Sequence, residues 1–119
     1  MTKFIARDLE TGIVIADRVT VADNRITRAV GLLSRNHLDA GEALWITPCH
    51  GVHTWGMRFT IDVVAMDADG TVVDVVNALK PWRFRLPRRG GLSVLELPEG
   101  TLRASRTSVG HRIALQPVD

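Results

Sequence analysis

Two valine-rich runs, Thr60 to Met66 and Thr71 to Ala78, flank the tetrapeptide Asp67-Ala68-Asp69-Gly70. Asp-Gly between β-branched runs is a strong short-range hairpin signal, because glycine accepts the positive φ that a tight return demands. The chain is therefore expected to be built around paired strands. Five further segments have strand character: Lys3 to Leu9, Gly12 to Val21, Ala43 to Thr47, Leu92 to Leu97 and His111 to Gln116. In the second of these Ile13, Ile15, Val19 and Val21 keep period two.

Helical signals are fewer. Asp23-Asn24 offers short polar side chains that can bond free first-turn amides. Ile26, Ala29, Val30 and Leu33 then fall at i, i+3, i+4 and i+7, which predicts one main helix over about 24–34. Thr101 to Arg106 is expected to form a single helical turn. The predicted fold is a single β-dominated α+β domain over residues 1–119, a small curled antiparallel or mixed sheet or barrel. Ile26, Val30, Leu33, Leu44, Ile46, Val63 and Leu95 are its expected core.

Charge and cysteine content narrow the function classes. At 45% hydrophobic and 24% charged residues, the composition is that of a globular domain and argues against disorder. No apolar run approaches the roughly 20 residues needed to span a bilayer, and the start breaks into charge too soon for a signal peptide. A cytoplasmic protein is expected. The lone Cys49 excludes an internal disulfide framework and a four-cysteine zinc site. Cations comprise 13 arginines against 2 lysines; a codon bias explains this most simply, and forked recognition of carboxylate or phosphate is the functional alternative.

The densest chemistry lies in Cys49-His50-Gly51-Val52-His53-Thr54-Trp55-Gly56-Met57-Arg58. Cys49, His50 and His53 are metal-ligand types, yet Pro48, Gly51 and Gly56 oppose a shared helix face and no standard ligand spacing occurs. No metal or other cofactor is expected. A cysteine nucleophile needs a neighbouring cation or imidazole, and adjacency in sequence does not supply one. No nucleophile elbow, phosphate-binding loop or paired-carboxylate signature is present, so no catalytic residue is assigned. The loop Lys80 to Arg89 interleaves aromatics with cations, as single-strand binders do, but a net charge of only +2 speaks against nucleic acid.

Motifs in order along the chain resemble the family called DUF192 or UPF0127. Thr27-Arg28-Ala29-Val30-Gly31-Leu32-Leu33-Ser34-Arg35 resembles its R-x-x-G-L-M-x-R helix, and Val52 to Phe59 its aromatic-x-Met-basic motif. Ile61-Asp62-Val63-Val64 is similar to the strand that follows, and Val94 to Gly100 to a V-L-E-x-x-x-G segment. Gly110-His111 departs from the glycine-aspartate pair more usual there. The resemblance implies a small β-rich fold and no established reaction.

The preferred reading is a non-enzymatic module that binds a small anion or a peptide or protein partner. Arg28 and Arg35, seven apart on the predicted helix, would form one side of a pocket floored by Trp55 and Met57, with His53, Arg58, Asp62 and Glu96 around it. The competing structural reading has Trp55 and Met57 plug the sheet while Arg28 pairs with Asp62 or Glu96. Other functional readings are a metal or thiol centre at Cys49 and His53, and single-strand binding through residues 80–89. Neither a membrane nor a nucleic-acid partner is favoured.

Overall fold

The computed structural model describes residues 3–22, 35–49, 52–85 and 90–118. The expected helix at about 24–34, with Ile26, Arg28, Val30 and Leu33, lies outside the described residues, as do His50 and the side chain of His53.

The described elements are β1 (Lys3–Asp8), β2 (Val14–Ala22), β3 (Glu42–Ile46), β4 (Val52–His53), β5 (Ile61–Met66), β6 (Val72–Leu79), β7 (Phe84–Arg85), β8 (Ser93–Pro98), a one-turn helix α1 (Thr101–Ser105) and β9 (Ile113–Val118). Seven strands make one mixed sheet in the order β6-β5-β8-β3-β2-β1-β9. Among the described strands only β2 and β3 pair in parallel. The sheet curls without closing, which corrects the barrel alternative. Its edge strands meet at one corner, where Thr71 bridges Arg112, the Val72 amide donates to His111 O and the Gly110 amide donates to Val72 O. Closure stops there because the rest of β6 and β9 run unpaired with each other.

The strand period distributes the core over both faces. From β5, Val64 and Met66 join one cluster with Leu95, Leu97, Val19 and Leu102. Ile61, Val63 and Ala65 join a second, on the opposite face, with Leu44, Ile46, Val94 and Met57. All six β5 residues are therefore buried, as a central strand covered on both sides requires. Leu44, Ile46, Val63 and Leu95 are buried as the sequence predicts, each contributing about 1.5–3 kcal/mol by leaving water.

Two polar devices hold this sheet. In the hairpin turn, Asp67 Oδ1 accepts the amides of Asp69 and Thr71 at 2.9 and 3.0 Å, and Gly70 takes φ +83°. Asp62, 1% exposed, joins three elements: its Oδ1 accepts the Ala78 amide at 2.9 Å, and its Oδ2 accepts those of Gly100 and Leu102 at 3.1 and 3.0 Å.

Candidate functional site

Strands β4 and β7, two residues each, form a separate ribbon. β7 falls in the loop expected over Lys80 to Arg89, because two-residue strands carry no readable period. What holds the ribbon is Thr54, fully buried despite its hydroxyl. Its amide donates to Arg83 O at 2.9 Å, its carbonyl accepts the Trp82 amide at 3.0 Å and its Oγ1 donates to Lys80 O at 2.6 Å. The same Oγ1 accepts the Arg83 amide at 2.9 Å, so the side chain replaces a missing stretch of ladder. Arg85 fastens the ribbon to β6 through a paired contact with Asp74, at 3.0 and 2.9 Å. That hydrogen-bonded pairing raises the Arg85 pKa.

The ribbon displays aromatics. Trp55, Trp82 and Phe84 are 54%, 67% and 56% exposed. Trp55 and Phe84 lie with ring centroids 6.4 Å apart, tilted by 32°. Trp82 holds φ +63°, a left-handed conformation rare for a bulky residue. Lys80 and Arg83 are exposed on either side of Trp82 in the chain, and Arg58 is exposed three residues after Trp55, its Nη1 donating to Asn36 Oδ1 at 3.3 Å. Trp45, by contrast, is half-buried and packs edge-on against Phe4 at 5.3 Å, against the core.

Among the described residues, those expected from the sequence to line the pocket do not form one lining. Met57 is buried in the cluster beneath the ribbon, while Trp55 points outward. Asp62 and Glu96 are both buried, and strand alternation puts them on opposite faces, because Asp62 pairs with Leu97 and Val63 with Glu96. Asp62 shares the face that carries α1, away from Met57, and its oxygens are occupied by backbone amides. Arg35 is engaged by Glu42 at 2.9 and 2.6 Å. Cys49 is part-buried, and among the described residues no group of three histidine, cysteine or acidic side chains is placed to hold a metal. A cleft of about 290 Å³ lies elsewhere, bordered by Trp45, Thr47, Asp67, Leu92, Ser93 and Leu115.

The Arg35–Glu42 pair makes acid stability testable. The Arg35 hydrogen bonds, helped by the Asp39 amide and opposed by burial, lower the Glu42 pKa from 4.5 to about 2. A depressed folded-state value stabilises the native state above the unfolded pKa and is lost on acidification. The loss should fall between about pH 4.5 and 2. Arg35 is 35% exposed, so solvent screening reduces the effect to about 1–2 kcal/mol. Urea titrations at pH 7 and pH 3 should show Glu42→Gln less stable at pH 7 and closer to the parent at pH 3; an equal deficit at both would refute the linkage.

The comparisons with known proteins bear on the fold. The profile of a family described as Uncharacterized ACR, DUF192, matches residues 8–115. The chain belongs to this family. This DUF192 protein is 36% identical over 102 residues to a UPF0127 protein of Pyrococcus abyssi, covering 81% of this chain and 84% of that one. It is 35% identical over 100 residues to a UPF0127 protein of Pyrococcus furiosus, covering 80% and 84%. A solved structure of a candidate transcription regulator from Sinorhizobium meliloti 1021 superimposes with a TM-score of 0.81 at 19% identity, covering 96% of this chain and 92% of that chain. A protein of unknown function from Novosphingobium aromaticivorans gives 0.82 at 18% identity, covering 95% and 84%. The DUF192 protein thus shares their fold. Among its described residues no helix is long and apolar enough to cross a membrane.

Proposed function

We propose that this DUF192 protein is a recognition module that binds an acidic, extended segment of a protein partner on the β4–β7 ribbon. The observation that carries the reading is Trp82. Its left-handed backbone costs about 1–2 kcal/mol, and at 67% exposure its ring recovers little of that by burial. Strain of this kind collects at sites of function. Trp55 and Phe84 extend the same surface, and tryptophan and arginine are the residues that dominate binding energy at interfaces. Lys80, Arg83 and Arg58 supply charge of one sign beside the aromatics, which selects an acidic partner. The formal net charge of +2 favours a peptide over a polyphosphate backbone, whose binding depends on neutralising many phosphates.

Fluorescence anisotropy with a labelled twelve-residue peptide alternating glutamate and leucine tests this. Trp82→Ala and Trp55→Ala should each weaken binding about 10–30-fold, the effect of losing an interface hot spot, with little change in melting temperature. Binding indifferent to both substitutions would refute the ribbon as the site. Tighter binding of a twelve-nucleotide oligothymidylate than of the peptide would transfer the surface to single-stranded nucleic acid.

A further inference from the structure

Apart from the ribbon, at the corner where the two sheet edges meet, Ser108, His111 and Asp8 form a connected chain. Ser108 Oγ lies 3.0 Å from His111 Nε2, and His111 Nδ1 lies 2.8 Å from Asp8 Oδ2. We infer that Ser108, His111 and Asp8 are a nucleophile, base and orienting carboxylate able to cleave small, accessible carboxylic esters.

The order of polarity follows from the chemistry of the groups. Asp8 is fully buried, and its Oδ1 accepts the amides of Glu10 and Thr11 at 2.8 and 3.2 Å. Burial alone would raise its pKa, but hydrogen bonds from His111, Thr107 and those amides outweigh it and keep the carboxyl ionised below its usual range. An ionised carboxylate only accepts, so Nδ1–H donates to it, and in the neutral imidazole Nε2 is then the acceptor that faces the Ser108 hydroxyl. This is the arrangement by which a serine is activated on unrelated folds.

The frame is rigid on both sides. The His111 amide donates to Ser108 O at 3.1 Å, closing a turn in which Gly110 holds φ +94° and so brings the two side chains to one side. The Gly110 and Val72 amides tie that turn to β6, and the Leu9 amide ties β1 to Arg112 O. Ser108 is exposed, and among the described residues the Val109 amide donates no hydrogen bond, which leaves it open to an oxyanion. Leu9 and Val109, which follow Asp8 and Ser108 in the chain, are 52% and 58% exposed, apolar side chains suited to a short acyl group. Asp8 and His111 stand 103 residues apart, so no local motif announces them; the single sequence signal is the departure at His111.

In the reaction, Ser108 Oγ bonds to the ester carbonyl carbon as its proton passes to His111 Nε2. The carbon–oxygen bond to the leaving group then breaks, and that oxygen takes the proton from His111. Water, deprotonated by His111, attacks the acyl-serine, and the carboxylic acid leaves as Ser108 regains its proton. The sum is ester plus water to acid plus alcohol.

Two readouts test this on the intact protein: release of 4-nitrophenolate from 4-nitrophenyl acetate, and labelling by a fluorophosphonate located by peptide mass spectrometry. The expected result is label on Ser108, dependent on His111, and turnover lowered at least about 100-fold by Ser108→Ala or by His111→Gln. Ser108 is exposed, so Ser108→Ala should retain the parent melting temperature and separate chemistry from folding. Absence of label, label elsewhere, or hydrolysis unchanged in Ser108→Ala would overturn the assignment. Each outcome is independent of the ribbon.

Discussion

Asp62→Ala should lower the stability of this domain by about 2–5 kcal/mol, since a buried donor left without an acceptor costs about 1–3 kcal/mol and part-buried ones cost less. Three amides lose their acceptor at once: the buried one of Leu102 in α1, and the part-buried ones of Ala78 in β6 and Gly100 before α1. The substitution also opens a void in a strand buried on both faces. Asp62→Asn keeps the shape and one oxygen, so it should recover part of the loss while still breaking one side of the junction. Urea denaturation at pH 7 reads both variants. A loss of under about 1 kcal/mol for Asp62→Ala would show that water or local rearrangement satisfies the amides.

Gly70→Ala should cost about 2–4 kcal/mol, combining a left-handed backbone penalty with overpacking. The φ of +83° already disfavours a side chain, and a Cβ there would stand 2.7 Å from the carbonyl oxygen of Ile113. That oxygen belongs to the backbone of β9 and accepts no easy displacement. Gly12→Ala is the matched control: φ is +75°, yet nothing lies within 4 Å of the added carbon. It should lose only the conformational part, about 1 kcal/mol. Equal losses at both positions, read by thermal denaturation, would remove the steric contribution.

These expectations show where sequence is a sufficient guide. The hairpin was legible because Asp67 and Gly70 are local, and a turn is decided by four residues. The long strands were legible because Val, Ile and Leu recur at the period of a buried face, as at Val63, Leu44 and Leu95. Topology was less so. The parallel pairing of β2 with β3 and the failure of β6 and β9 to close depend on contacts between distant segments.

Function was harder for the same reason. Trp55 and Arg58 stood out in the sequence and do lie at the surface, whereas Met57 between them is buried. The ribbon that carries Trp82 and Phe84 rests on one hydroxyl, that of Thr54, reaching across 26 residues to Lys80 O. Composition treats that threonine as ordinary. Asp62 and Glu96 looked like pocket carboxylates because strand parity was not yet anchored to a register; the pairing of Val63 with Glu96 separates them onto two faces.

The three indoles allow the most direct test of the ribbon as the recognition surface. Each tryptophan gives its own side-chain N–H resonance, and Trp45, half-buried against Phe4, serves as an internal reference. Titration of the glutamate–leucine peptide into nitrogen-15-labelled protein should shift the Trp55 and Trp82 indole signals together and saturably, leaving Trp45 in place. Signals that remain unmoved at millimolar peptide, or a shift confined to Trp45 beside the cleft, would contradict the account.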